Sequence, residues 1–230
     1  MKTAERFLAY KESVNEMTEV KDFRKIPLDQ KDPEAFTDRM KIRELMEYER
    51  YCRDNGLFDE AASCYSDDAK IHVSWFNGPA SEYWERTKQA NGGGSKHKIY
   101  STAVFVNGNK AVAETQVMML SPRIRIQGCD IDMHSYARIF ARLVKRDGEW
   151  KIQYGDCIYE RDELVPATPG EKVPDIAPLT EDYRESYRNL CYVLSMQGLK
   201  SGQDLPGDDK PETVQKLYDE TSRWMFEENN

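Results

Sequence analysis

The chain has 230 residues, 39% of them hydrophobic and 11% aromatic, and its 33 Lys and Arg residues against 41 Asp and Glu residues give a net charge of −8. This charge excludes a basic surface for nucleic acid or anionic lipid, and the composition indicates one core with polar arms. No apolar stretch approaches the ~20 residues that span a bilayer, and no signal segment is present, so we expect a soluble, cytoplasmic protein without a membrane partner.

The first third of the sequence predicts a polar arm followed by three helices. Residues 1–36 carry scattered apolar positions and no core of their own. Apolar residues then recur with helical period over 40–55, and Asn55-Gly56 ends that helix. A short helix over 58–65, a strand over 70–76 with a turn at 77–79, and a third helix over 79–90 follow.

The middle of the sequence predicts an antiparallel meander. After Gly92, Gly93 and Gly94, strand-like segments are separated by turn residues, and they cover 96–106, 111–126, 130–145 and 150–159. Helices that precede a run of strands indicate an α+β fold rather than an alternating α/β fold. We therefore expect a curved sheet wrapped on three helices, a cone-shaped barrel over residues 37–162 that encloses a pocket.

The last part of the sequence, residues 163–230, predicts a Pro-rich linker and a C-terminal helical extension. Four prolines fall between residues 165 and 179. Two apolar stripes beyond them indicate two helices, one around Leu190 and one around Leu217. Neither helix can bury its stripe alone, so we expect both to dock on the domain or on a second subunit, with a homodimer as the preferred assembly.

The sequence contains three histidines, and His97 is the preferred candidate for a general base. It lies directly after the three glycines, at the start of a strand near one end of the predicted pocket. His72 is expected at the surface, because the apolar residues of its strand share the other face. His134 shares a face with Arg138 and Phe140, which either lines the pocket or lies outside it.

The first predicted helix aims two charged side chains at the core. At ~100° per residue, Glu49 and Arg53 project from the same stripe as the apolar residues Ile42, Leu45 and Met46. Their i, i+4 spacing allows an ion pair, and a buried ion pair persists only when both partners are hydrogen-bonded. A buried structural pair and a role in the pocket are both consistent with this pattern.

Four motifs resemble those of SnoaL-like proteins in the nuclear transport factor 2-like superfamily. They are EYERYCRDNGLFDE at 47–60, HKIYST at 97–102, GNKA at 108–111 and DGEWKI at 147–152. The resemblance covers about residues 36–162 and implies the cone-shaped fold. Because the superfamily includes dehydratases, isomerases, cyclases, hydrolases and non-enzymatic binders, it implies a fold more closely than an activity.

Within that superfamily the sequence is similar to the scytalone dehydratase and lindane dehydrochlorinase group. The resemblance implies that Asp54, which closes the first helix, hydrogen-bonds His97 and that His97 removes a proton from carbon. It also implies that Glu49 and Arg53 face the ligand, in agreement with the helical stripe. The strand over 111–126 departs from the dehydratase pattern, because it carries no histidine.

The predicted pocket suits a small hydrophobic, aromatic or polycyclic substrate. We expect it to be lined by Trp75, Met119, His134, Arg138, Phe140 and Tyr154. No metal-ligand cluster, phosphate-binding loop or other cofactor motif is found, and the five cysteines lack a Cys-x-x-Cys pair and are expected to be free thiols.

These observations favour a cofactor-independent lyase or isomerase that acts by general acid-base proton transfer. The reaction would be a dehydration, the elimination of a hydroxymethyl group as formaldehyde, or an isomerisation. Two alternatives stay open: a non-catalytic binding module for a ligand or partner, and an epoxide hydrolase built on Arg53, Asp54 and Asp156.

Overall fold

The computed structural model describes residues 21–227, so most of the predicted N-terminal arm lies outside the described residues. The α-helices are α1 (Pro33–Asp54), α2 (Phe58–Ser63), α3 (Ala80–Gln89), α4 (Ala177–Thr180), α5 (Arg188–Met196) and α6 (Pro211–Phe226). Short 3₁₀ helices lie at Phe23–Lys25, Asn91–Gly94 and Glu185–Tyr187. Within residues 21–227, no helix is both long and apolar enough to cross a membrane.

The described strands form one curved, six-stranded sheet in the order β2-β1-β6-β5-β4-β3. They are β1 (Tyr65–Val73), β2 (Phe76–Pro79), β3 (Lys96–Asn107), β4 (Lys110–Ile126), β5 (Cys129–Arg146) and β6 (Glu149–Pro166). Neighbouring strands are antiparallel except β1 and β6. The predicted α+β class and the predicted meander are confirmed.

Two local predictions at the start of the sheet are wrong. The segment 77–79 was expected to be a turn, but it belongs to β2, which pairs with β1. The chain instead reverses at Ser74 and Trp75, between the paired residues Val73 and Phe76. The strand predicted over 70–76 therefore ends at Val73 and begins earlier, at Tyr65.

Helix α1 lies on the concave face of the sheet and forms one wall of the cone. It begins at Pro33 rather than at residue 40, because the Asp32 carboxylate caps the amides of Glu34 and Ala35. Its fully buried Ile42 packs with Met46 against residues of β5 and β6. At its other end the helix stops at Asp54, and Gly56 adopts a positive φ of 78° that favours glycine.

The two C-terminal helices dock on opposite faces of the sheet. Helix α5 packs with β4, β5 and β6 on the concave face, whereas α6 packs on the convex face. Phe23 from the N-terminal segment is fully buried on that convex face and contacts Phe105, Phe140 and Tyr218. Both faces of the sheet are therefore covered, and the predicted docking of the two stripes on the domain is observed.

Candidate active site

The concave face of the sheet, together with α1, α3 and α5, lines a cavity of about 360 Å³. Most of its wall is apolar, with contributions from Val73, Trp75, Val117, Met119, Met133 and Ile139 on the sheet side and from Leu190, Val193 and Leu194 of α5. A cavity of this size and composition suits a small, largely apolar ligand.

The end of α1 and the start of β3 bring Asp54 and His97 together at this cavity. The Nδ1 atom of His97 lies 2.9 Å from Oδ1 of Asp54, and the backbone N–H of His97 donates to Oδ2 of the same carboxylate. Both side chains are about nine-tenths buried, and His97 lines the cavity. The Asp54 carboxylate thus holds His97 at two points, the ring Nδ1 and the backbone N–H.

The electrostatics of this pair favour a neutral imidazole beside a charged carboxylate. The pKa of His97 is lowered to about 4, chiefly by burial. The hydrogen bond to Asp54 opposes this shift, and the charges of Arg50 and Arg53 add to it. Burial on its own would raise the pKa of Asp54, but the hydrogen bonds from His97 outweigh burial and hold that pKa well below its usual range. At neutral pH an Nδ1–H group then donates to Asp54, and Nε2 keeps a lone pair that can accept a proton.

Arg53 fixes the loop that leads into β3. Its Nη1 donates to the Ser95 carbonyl at 2.8 Å and to Asp54 at 3.0 Å, and its Nη2 donates to the Gly92 carbonyl at 2.8 Å and to the Ser95 hydroxyl at 3.2 Å. Arg53 also lines the cavity. The guanidinium therefore ties the end of α1 to the turn that positions His97.

Glu49 pairs with its neighbour Arg50 and not with Arg53. The Nε and Nη2 atoms of Arg50 both donate to the Glu49 carboxylate, at 2.8 Å in the first case, and the Tyr65 hydroxyl donates to the same carboxylate at 3.1 Å. Both charged residues are buried. Burial on its own would lower the pKa of Arg50, but Glu49 outweighs it and raises that pKa well above its usual value, so the guanidinium stays charged.

Four of the residues predicted to line the pocket lie on the convex face instead. Phe140 and Tyr154 pack in the cluster that α6 covers, and Arg138 contacts Tyr218 of α6. Side chains alternate between the two faces along β5, so His134 lies on the same convex face as Arg138 and Phe140. Its Nδ1 is 3.4 Å from Oε1 of Glu163. Of the predicted pocket residues, Trp75, Met119, Arg53 and His97 line the cavity.

Two further expectations differ from the observed contacts. His72 was expected at the surface, but its side chain is only 19% exposed and its Nδ1 lies 3.2 Å from Asp156. The Asp156 carboxylate also accepts hydrogen bonds from Tyr154 and from the Cys157 amide. Asp156 and Arg53 both line the cavity, and within the described part of the chain no direct hydrogen bond joins Asp156 to Arg53 or Asp54.

Several cavity residues were not identified from the sequence. Arg50 is the most consequential, and Tyr65, Ser135 and Tyr159 also line the wall. Arg50 lies next to Glu49 in the sequence and outside the predicted apolar stripe. Its long side chain pairs with the Glu49 carboxylate and also reaches the cavity. Between residues 21 and 227, no group of three His, Cys, Asp or Glu side chains is arranged to hold a metal ion.

The model of the SnoaL-like domain family matches residues 34–155 of this chain. Curated relatives include a PEP2-like protein and Pea pathogenicity protein 2, both from Fusarium vanettenii. Each is 24% identical over 82% of this chain and 85% of the relative. These two alignments extend beyond the part of the chain that the family model matches.

Two of the solved structures with a similar fold come from Novosphingobium species. A scytalone dehydratase candidate from Novosphingobium aromaticivorans is 19% identical, with a TM-score of 0.48, over 60% of this chain and 97% of that chain. A hexachlorocyclohexane dehydrochlorinase from Novosphingobium barchaimii is 19% identical, with a TM-score of 0.46, over 60% of this chain and 96% of that chain.

Proposed function

The chain belongs to the SnoaL-like domain family, and from this premise we propose that it is a cofactor-independent lyase or isomerase in which His97 removes a proton from carbon. The observation that supports the proposal is the buried Asp54–His97 pair at the wall of an apolar cavity. A lowered pKa keeps the imidazole neutral at physiological pH, as a general base requires.

Each residue of the pair has a distinct part in this reaction. His97 accepts the proton on Nε2, because Nδ1 is engaged with Asp54. Asp54 fixes the tautomer and stabilises the imidazolium that forms, without itself taking the proton. The imidazolium then returns its proton either to a departing hydroxide, which completes a dehydration, or to another carbon, which completes an isomerisation. Expulsion of a hydroxymethyl group as formaldehyde would use the same base on the hydroxyl proton. The O–H electron pair forms the C=O bond of formaldehyde, the C–C bond breaks, and the electron pair left on the substrate carbon takes the proton back from His97.

The proposed substrate is a small aromatic or polycyclic molecule that carries a carbonyl or hydroxyl group. The cavity wall supports this choice, because it is mostly apolar and carries few charged groups. Its aliphatic side chains come from β4, β5 and α5, and its aromatic rings are those of Tyr65, Trp75, Tyr83 and Tyr159. A cytoplasmic location and a homodimer complete the proposal for the protein as a whole.

Solvent-deuterium exchange tests the proton transfer without knowledge of the natural leaving group. A panel of neutral ring-fused ketones, such as 2-tetralone and 1-indanone, is incubated with the protein in deuterium oxide, and label at the carbon beside the carbonyl is followed by NMR. We expect the wild-type protein to accelerate exchange above the buffer rate. The His97→Gln and Asp54→Asn variants should lose at least about a hundredfold of that acceleration, the lower end for general-base catalysis.

The matched control is His134→Gln, which removes a histidine from the convex face beside Glu163. This variant should exchange deuterium at the wild-type rate. If the ketones bind but wild-type exchange equals the buffer rate, the protein is a binding module of the same fold and the enzymatic proposal fails. If wild type accelerates exchange and His97→Gln exchanges as fast, another group is the base and the proposed role of His97 is wrong.

A further inference from the structure

Arg50 presents one guanidinium nitrogen that its own ion pair does not use. Nε and Nη2 both donate to Glu49, and among the described residues Nη1 has no hydrogen-bond partner. The guanidinium is planar, so a bidentate pair through Nε and Nη2 leaves Nη1 directed away from the carboxylate. Arg50 is 9% exposed and lines the cavity, whereas Glu49 is 1% exposed and is not one of the described residues that line it.

Arg50 and His97 belong to the wall of the same cavity. Both line it, and the charge of Arg50 is one of the causes that lower the pKa of His97. A base and a fixed hydrogen-bond donor of positive charge thus face one small, largely apolar volume. Removal of a proton next to a carbonyl creates an oxyanion, and a preorganised cationic donor stabilises such a charge strongly in a water-excluded site.

We infer that Arg50 is a second catalytic residue, which donates from Nη1 to the oxyanion that forms when His97 takes a proton, and that the substrate is a neutral carbonyl compound. The inference rests on the proposed function, because the oxyanion forms only in that reaction. The C–H electron pair becomes the new C=C bond, the carbonyl π pair moves to oxygen, and the proton goes to Nε2 of His97. Collapse of this enolate either expels a β-hydroxyl group, which leaves as water with the proton from His97, or returns the proton to another carbon.

The pairing with Glu49 is the reason for a neutral substrate rather than a carboxylate. Glu49 already balances the charge of Arg50, and the Tyr65 hydroxyl completes the coordination of that carboxylate. A substrate that arrives with a full negative charge would place a second anion near Glu49 and lose its own hydration. A neutral carbonyl is not repelled by Glu49 and loses little hydration when it binds. Its interaction with Arg50 becomes strongest when the oxygen becomes negative, so the transition state is stabilised more than the bound substrate.

Phenols test this inference because a phenolate resembles an enolate and exists without any reaction. The probe is 4-nitrophenol, whose neutral and ionised forms absorb differently, and the comparison anion is 4-nitrobenzoate. We expect the wild-type protein to bind the phenolate, to lower the apparent pKa of the bound phenol, and to bind the benzoate more weakly. Tighter binding of the benzoate would overturn the assignment of a neutral substrate.

The variant that removes the donor is Glu49→Gln with Arg50→Met, because removal of Arg50 alone leaves a buried carboxylate unpaired. It should bind the phenolate at least about tenfold more weakly than wild type, the lower end for a hydrogen bond to a charged group, and should not shift the phenol pKa. Arg50→Lys, whose ammonium Glu49 engages, should show the same loss and serves if the double variant does not fold.

His97→Gln separates this inference from the proposed function. It abolishes deuterium exchange under the proposal but should retain the shifted phenol pKa, because Arg50 is intact. An Arg50-dependent phenolate site without exchange in wild type means that the proposed reaction is wrong while the oxyanion site stands. Exchange in wild type with a phenol pKa that the double variant still lowers as far as wild type does, or no phenolate binding by wild type, overturns the role of Arg50.

Discussion

Replacement of Arg53 by Met should destabilise the protein far more than the loss of an ordinary surface arginine. The Arg53 side chain is about 10% exposed and donates four hydrogen bonds, to Asp54, to the Gly92 carbonyl and twice to Ser95. Removal of one partner from a buried, hydrogen-bonded charge pair costs about 3–5 kcal/mol. Met retains much of the aliphatic length, so the loss reports the guanidinium rather than a cavity.

Urea unfolding followed by circular dichroism measures this loss as a shift in midpoint at constant slope. The matched control is Arg146→Met, because Arg146 pairs with the Asp68 carboxylate through two nitrogens but is 52% exposed. An exposed pair contributes at most about 1 kcal/mol. Hydrogen exchange should also accelerate in the loop 91–97 of Arg53→Met alone. Equal losses in the two variants would refute the argument that Arg53 anchors the loop before His97.

Three other predictions concern stability. Phe23→Ala should lower the free energy of unfolding by about 3–5 kcal/mol in thermal or urea unfolding, because Phe23 is fully buried on the convex face. Leu28 is 62% exposed, so Leu28→Ala should change that free energy by no more than about 0.5 kcal/mol. Similar losses in the two variants would contradict the packing described for the N-terminal segment. Asp162→Ala removes an acceptor 2.8 Å from the Leu190 amide at the start of α5 and should cost about 1 kcal/mol, with faster hydrogen exchange in α5; unchanged exchange there would contradict the capping role. Because the pKa of His97 falls from 6.5 to about 4 on folding, the unfolded chain takes up the proton first, so stability should fall by about 3 kcal/mol between pH 6.5 and 4. His97→Gln should lack that component, and identical pH profiles would disprove it.

Most helices and strands could be predicted because each has a local signal in the sequence. The stop at Asn55-Gly56 and the turns at 107–109 and 147–148 define where elements end. The segment 77–79 could not be predicted, because Gly78 and Pro79 favour turns locally and only pairing with β1 makes this segment a strand. Pairing between distant strands determines this element, and a local sequence pattern does not show which segments pair.

The geometry of the candidate site was predictable on α1 and β3 but not on β5 and β6. Glu49 is buried and the Arg53 side chain is only about 10% exposed, as the helical stripe indicates. The resemblance to the SnoaL-like family pointed to Asp54 and His97. Alternation along β5 and β6 does not reveal which face lines the cavity, because α6 covers the convex face with apolar contacts of its own. Phe140 therefore fits the sequence pattern expected for a pocket residue, but it packs against Phe23 on the convex face.

The state of the His97 imidazole tests the central claim most directly, because proton abstraction requires a neutral ring with an unprotonated Nε2. Nitrogen-15 NMR of the imidazole across a pH titration, assigned with His97→Gln, reports both the tautomer and the pKa. The structure predicts a ring protonated only at Nδ1 at neutral pH that titrates near pH 4. A ring that carries its proton on Nε2, or one that is doubly protonated at pH 7, would contradict the account, since neither can accept a proton from a substrate in the cavity.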